Sequence, residues 1–170
     1  MKTDQLNTAL RAVVQQTTNN TTTWIGHRQG ETRDRLRGQT FICPLSGQLD
    51  CIEIFSNCVT NNGPVDLSIH PFNTETKVWG PALQTSKVEL HKSDSGTWVA
   101  FPLNGLQLQK GSAYGFRLKS NGGLIGVGEA AGIVDHLPYT DGLEWVATSD
   151  DQQGTYFTYL SLAFKVEMRA

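Results

Sequence analysis

The stretch GTWVAFPLNGLQLQKGSAYGFRL, residues 96–118, decides the fold. Val99, Phe101 and Leu103 alternate with smaller or polar neighbours. After a tight turn at Lys110 and Gly111, Tyr114, Phe116 and Leu118 alternate with Gly115, Arg117 and Lys119. A period of two puts one side of each segment on a core and the other side elsewhere, so the stretch predicts two β-strands joined by a loop.

The same pattern recurs along most of the chain. Val65, Leu67 and Ile69 alternate with Asp66, Ser68 and His70, just after a turn signal at Asn61-Asn62-Gly63-Pro64. Shorter extended segments are expected at 39–42, 49–55, 78–79, 86–90, 124–127 and 144–147. A long last strand is expected at 156–168, bent or bulged because it exceeds the usual five or six residues. Eight or nine strands with no helices between them predict an all-β antiparallel sandwich of two sheets, which buries the apolar face of each. A jelly roll is favoured over an immunoglobulin-like Greek key, whose Cys-Trp-Cys arrangement is absent.

The N-terminal end reads differently. Leu6, Ala9, Leu10, Val13 and Val14 form one apolar stripe at helical spacing, which predicts a short N-terminal α-helix over 3–16. Its stripe must dock on its own domain or on further copies of the chain. The tract Thr17-Thr18-Asn19-Asn20-Thr21-Thr22-Thr23 reads as a polar linker. The expected organisation is therefore a helix and linker at 1–23 and a β-sandwich domain at 24–170.

Composition removes several function classes. A net charge of -2 gives no electrostatic reason to expect nucleic acid or an anionic membrane surface as a partner. No apolar run approaches the roughly 20 residues that would span a bilayer. The chain has no signal-type hydrophobic segment, which fits either a cytoplasmic protein or a secreted one whose leader has been removed. Cys43, Cys51 and Cys58 are odd in number and match no zinc spacing, so buried or unreactive thiols are expected rather than a disulfide framework.

Gln39-x-Phe41, Gly47-x-Leu49-x-x-Ile52, Val65-x-Leu67-x-Ile69 and Trp98-x-x-Phe101-x-Leu103, followed by Gly111-x-x-Tyr114-x-Phe116, resemble bacterial jelly-roll accessory modules. These are the galactose-binding-like, carbohydrate-binding β-sandwiches of secreted or surface proteins. The likeness spans about residues 36–168 and rests on core and turn positions. It implies a jelly-roll fold and a carbohydrate partner, and transfers no sugar-binding residue.

No catalytic motif is present. His27, His70, His91 and His136 fit no metal-ligand spacing, and Gly126-x-Gly128-x-x-x-Gly132 lacks the lysine and the βαβ setting of a phosphate loop. Glu129, Asp135, Asp141 and Glu144 could serve a glycosidase only if two of them stood at the right separation. The better candidates are the irregular piece 128–141 and its flanks, where His136, Tyr139, Asp141, Glu144 and Trp145 combine flat apolar faces with donors and acceptors. Trp79, beside Gly80-Pro81, is a second platform. Sugar recognition needs that mixture, and loops on a rigid scaffold are where it tends to sit. Against this, the area that a tryptophan buries favours Trp145 as a plug of the core. No cofactor is expected beyond a conceivable structural Ca²⁺ at Asp150 and Asp151. The expected function is a non-catalytic module that binds carbohydrate. The alternative is an assembly protein that self-associates through the N-terminal helix and binds a protein partner through the sandwich.

Overall fold

The structure, a computed structural model, describes residues 9–170. It consists of β1 (Leu10–Gln16), β2 (Thr21–Gly26), β3 (Arg35–Ile42), β4 (Gly47–Asn61), β5 (Gly63–Asn73), β6 (Val78–Trp79) and β7 (Gln84–Leu90). After one 3-10 turn at Lys92–Asp94 come β8 (Thr97–Leu108), β9 (Ala113–Ser120), β10 (Leu124–Ala131), β11 (Glu144–Thr148), β12 (Asp151–Phe157), β13 (Leu160–Leu162) and β14 (Phe164–Arg169). Every pairing is antiparallel.

The strands fall into two groups. In the first the order is β7-β5-β9-β3-β11-β12, with β6 paired to the end of β5. In the second, the long β4 has β8 along one side. Along its other side β14 pairs first and β10 continues beyond it. β1 then adds to β14, and β2 and β13 add to β10. Between β2 and β3 the pairing is a single residue pair, Gly26 with Arg35.

The alternation read from the sequence decides which side of each strand is apolar. Phe41, Leu67, Ile69, Phe116 and Leu118 of the first group are fully buried, as are Ile52, Ile54, Phe101 and Phe164 of the second. They share one cluster. Phe164 lies 6.3 Å from Phe41 and 5.7 Å from Phe116, centroid to centroid, so the two apolar faces touch through aromatic rings.

Two expectations at the N-terminal end are overturned. Residues 10–16 are a strand, not part of a helix; Leu6 and the rest of the expected stripe before residue 9 lie outside the described residues. The apolar spacing there fits both periods, and pairing with β14 settles it by burying Val14 and Gln16, two residues apart. The supposed linker contains the start of β2, whose β-branched threonines suit a pleated edge. The Asn20 side chain accepts from the Ala131 N–H (2.8 Å) and donates to the Ala131 carbonyl (3.2 Å). The boundary expected at 23/24 thus falls inside a strand, and the alternative of self-association through a helix loses residues 10–16, which are strand.

The last segment is also divided differently. In place of one strand over 156–168, the chain forms the end of β12, then β13 and β14. The first of these pairs with β11 and the next with β10, on opposite sides of the break at Thr158 and Tyr159. Leu162, Phe164, Val166 and Met168, alternate residues across β13 and β14, are all fully buried. The three cysteines are free, Cys43 and Cys51 buried and Cys58 exposed. Burial, followed by the neighbouring Glu167, pushes the Cys51 thiol up to about 12 and leaves it a poor nucleophile.

Phe164→Ala should lower unfolding free energy by about 3–5 kcal/mol, the usual cost of deleting a buried aromatic ring. Urea denaturation measures it. A loss below about 1 kcal/mol would be incompatible with a core centred on this ring.

Candidate functional site

The outer side of the first strand group carries the candidate site. Register places Thr85 of β7 opposite Ser68 of β5, Ser68 opposite Arg117 of β9, and Arg117 opposite Gly38 of β3. Gly38 in turn stands opposite Trp145 of β11, and Trp145 opposite Tyr156 of β12. One transverse row therefore crosses six strands. Asp66 and His70 flank Ser68 on β5 with the same outward parity.

Trp79, delivered by β6, lies across this row. A Cβ on Gly115 would stand 2.5 Å from its ring, and one on Gly38 would stand 3.0 Å from Trp145 and 3.4 Å from Trp79. Two mid-strand glycines thus form a flat seat for the indoles, the close approach that glycine inside a strand often marks. The Trp79 Nε1–H donates to the Tyr156 hydroxyl at 2.7 Å, and that hydroxyl donates to the Lys77 carbonyl at 3.2 Å. Trp79 and Trp145 stand 5.5 Å apart at 58°, a wedge into which Arg117 projects. Its guanidinium carbon is 4.4 Å from both ring centroids. Desolvated cation–π contacts of this kind contribute about 2 kcal/mol. Burial still holds the Arg117 pKa below its ordinary value, and its Nε is buried with no hydrogen-bond partner.

A cavity of about 320 Å³ opens beside the wedge, walled by Arg117, Trp145, Asp66, Ser68 and His70 together with Ser149 from the loop after β11. His70 Nδ1 lies 2.9 Å from the Gly80 carbonyl and can only donate to it, which leaves Nε2 as an acceptor for the Ser68 hydroxyl at 2.8 Å. Burial lowers the His70 pKa and favours this neutral tautomer. Ser68 therefore spends its proton on His70 and turns lone pairs to the cavity. Asp66 Oδ1 is buried without a hydrogen-bond partner, and Lys87 Nζ stands 3.9 Å from it.

The residues expected from the sequence are only partly brought together. Trp79 and Trp145 meet in the wedge, but Trp145 is fully buried and its ring offers no open platform. It has the core-plug role, held by its Nε1–H donating to the Gln153 carbonyl at 3.0 Å. Tyr139 and Asp141 line a separate cleft under the 132–143 loop, where Tyr139 packs edge-on against Phe164 at 5.4 Å. His136 lies apart in a small bridge with Ile133, beside the exposed Ile133 and Val134. Asp150 accepts from the Thr148 hydroxyl at 2.6 Å and faces Arg33 at 3.7 Å. Among the described residues no cluster of three ligating side chains surrounds it or Asp151.

Glu144 is the clearest correction. It points inward, fully buried, toward Glu129 and Arg37. Burial first, and then Glu129, push its carboxyl up to about 10, against the pull of Arg37. Neither oxygen meets an N–H or O–H donor. Glu129 and Glu144, two of the four carboxyls considered for a hydrolytic pair, are neighbours, but inside the core rather than in a cleft. The largest cavity, about 590 Å³, opens over Arg37 between the 30–35 loop and the β11–β12 hairpin. Its arginines are already engaged. Arg35 is held by Glu31, Arg33 faces Asp150, and Arg37 donates to Thr23 at 2.6 Å and to two carbonyls.

Arg117, Asp66, Ser68 and His70 were all visible as polar positions on their strands. What the sequence did not display was the adjacency of β5 and β9. Gly115 in the middle of a strand was the available signal that something packs close above it.

Between the ordinary carboxyl value and about 10, folded Glu144 holds a proton that the unfolded chain has released. Its contribution to stability is therefore full below that window and falls as pH rises through it. Glu144→Gln should raise the Tm at pH 8 and change it little at pH 4.5, measured by thermal denaturation at both. Equal shifts at the two pH values would mean that Glu144 is ionised in the fold. Gly115→Leu should unseat Trp79 and cost about 1–3 kcal/mol, the usual cost of overpacking, again read from urea midpoints.

No protein-family model matches this chain and no curated protein matches it, so the assignment of its function rests on the geometry around Arg117.

Proposed function

We propose that the chain is a two-layer β-sandwich of jelly-roll type that binds carbohydrate, without altering it, in the cavity beside Arg117. The sandwich reading is supported by the way the chain passes repeatedly between the two strand groups, from β3 to β4, β4 to β5, β7 to β8 and β8 to β9.

The carbohydrate reading rests on one observation: Arg117 and Asp66, residues with an unspent donor and an unspent acceptor, line the same small concavity. Arg117 Nε lacks an acceptor, and Asp66 Oδ1 lacks a donor. Ser68 offers lone pairs, and Ser149 is a further hydroxyl in the wall. A hydroxyl both gives and takes a hydrogen bond, so a ring with several of them satisfies such a wall. The cavity sits at the low end of the roughly 300–1,000 Å³ typical of ligand pockets, which suits a single sugar ring.

Titration of the ¹⁵N-labelled chain with glucose, galactose, mannose and N-acetylglucosamine should move amide resonances of residues 66–70 and 115–119 in a saturable way. Asp66→Ala should weaken binding about tenfold or more, since a hydrogen bond to a charged group contributes roughly 1.5–3 kcal/mol. If none of these sugars, nor an acidic or aminated derivative, moves those resonances, the reading is wrong.

A second reading rests on the Ser68–His70 contact. A serine 2.8 Å from a neutral histidine that is oriented by a carbonyl has the nucleophile–base geometry of acyl transfer. A fluorophosphonate that labels the wild-type chain and spares Ser68→Ala would favour it over simple binding. Absence of labelling would remove it.

A further inference from the structure

The cavity wall is not neutral in its unmet charge. Arg33, Arg35 and Arg169 each face a carboxylate. Arg37 has Thr23 and two carbonyls. Arg117, among the described residues, has neither a carboxylate within 4 Å nor an acceptor for its Nε; its company is two indole faces. Lys119, two residues along the same strand and lining the same cavity, likewise has no carboxylate within 4 Å among the described residues. The two acids of the wall already have cationic or titratable neighbours of their own. Asp34 Oδ1 is 2.9 Å from His27 Nδ1, and Asp66 faces Lys87. Two cations without a carboxylate partner, Arg117 and Lys119, therefore stand two residues apart on β9, across from Ser68 and Asp66 on β5.

A guanidinium held between aromatic faces keeps its in-plane N–H groups free while its flat faces are covered. What it lacks is a planar acceptor in its own plane, and a carboxylate supplies one bidentately. On the neighbouring strand β5, Asp66 and the Ser68 lone pairs call for hydroxyl donors. From this polarity we infer that the natural ligand is an acidic sugar of the uronic acid class, with its carboxylate on Arg117 and its ring hydroxyls on Asp66 and Ser68. The inference rests on the carbohydrate reading and adds the charge of the ligand to it.

The test compares D-glucuronate and D-galacturonate with glucose, galactose and the methyl esters of both uronates, by isothermal titration calorimetry of the full chain. The free acids should bind at least tenfold more tightly than the neutral sugars and the esters. Raising salt from 50 to 500 mM should weaken only the acids, because attraction between partly exposed charges is screened. Arg117→Gln should abolish the preference. Since that change disturbs the aromatic wedge, Lys119→Gln serves as a second variant at an exposed position and should reduce the preference with the Tm unchanged. Equal affinity for acids and esters overturns the inference while leaving carbohydrate binding intact. No binding by any of the six compounds overturns the inference, and if mannose, N-acetylglucosamine and aminated sugars are also silent the carbohydrate reading falls with it.

Discussion

The contact of Phe164 with Phe41 and Phe116 is the constraint from which the rest follows. Those rings, with Ile52, Ile54 and Leu67 around them, fix the register of the strands that carry them. Side chains alternate strictly, so a slip of one residue would carry the whole apolar set of a strand to the outside. Register in the core is therefore also register on the surface. Burying Leu67, Phe116 and Leu118 forces Asp66, Ser68, Arg117 and Lys119 outward, and the pairing of β5 with β9 sets Ser68 against Arg117. The polar site is the reverse side of the apolar one.

Two ionisable groups, one fully buried and one half-buried, show two ways of living with little water. Glu144 avoids charge by keeping its proton, held there by burial and by the neighbouring carboxyl of Glu129. Arg117 cannot lose its charge at any ordinary pH and is instead wedged between the electron-rich faces of Trp79 and Trp145. The first solution is closed, because Glu144 is fully enclosed. The second is open on one side, because stacking covers the faces of a guanidinium and not its edge. That difference separates a structural acid from a site.

Period-two alternation made β5, β8 and β9 legible, because each has one apolar side and one polar side. It failed where both sides are buried or both are polar. Residues 10–16 carry apolar residues at spacings that satisfy a helix as well as a strand, and only the unpaired edge of β14 decides between them. The threonines of β2 have no apolar signal, and their strand exists because β10 offers it a ladder. At the site, composition drew attention to tryptophan, histidine and acids crowded in one irregular piece. The chain instead assembles its polar pocket from strands far apart in sequence, Asp66 with Arg117 and Trp79 with Tyr156. Such adjacency is a property of strand order, which alternation does not encode. Glu144 misled for a related reason: its parity on β11 turns it to the interior, opposite to its neighbour Trp145.

The paired indoles also have an optical consequence. Two tryptophan chromophores 5.5 Å apart and inclined at 58° are close enough for their transitions to mix, and the fold holds them in a single handed arrangement. Such a pair gives a split circular dichroism band that neither ring would give alone. Its amplitude depends on the angle of the wedge. A guest that draws the guanidinium even slightly out from between the rings would alter that angle, and the protein would signal its own occupancy without any label.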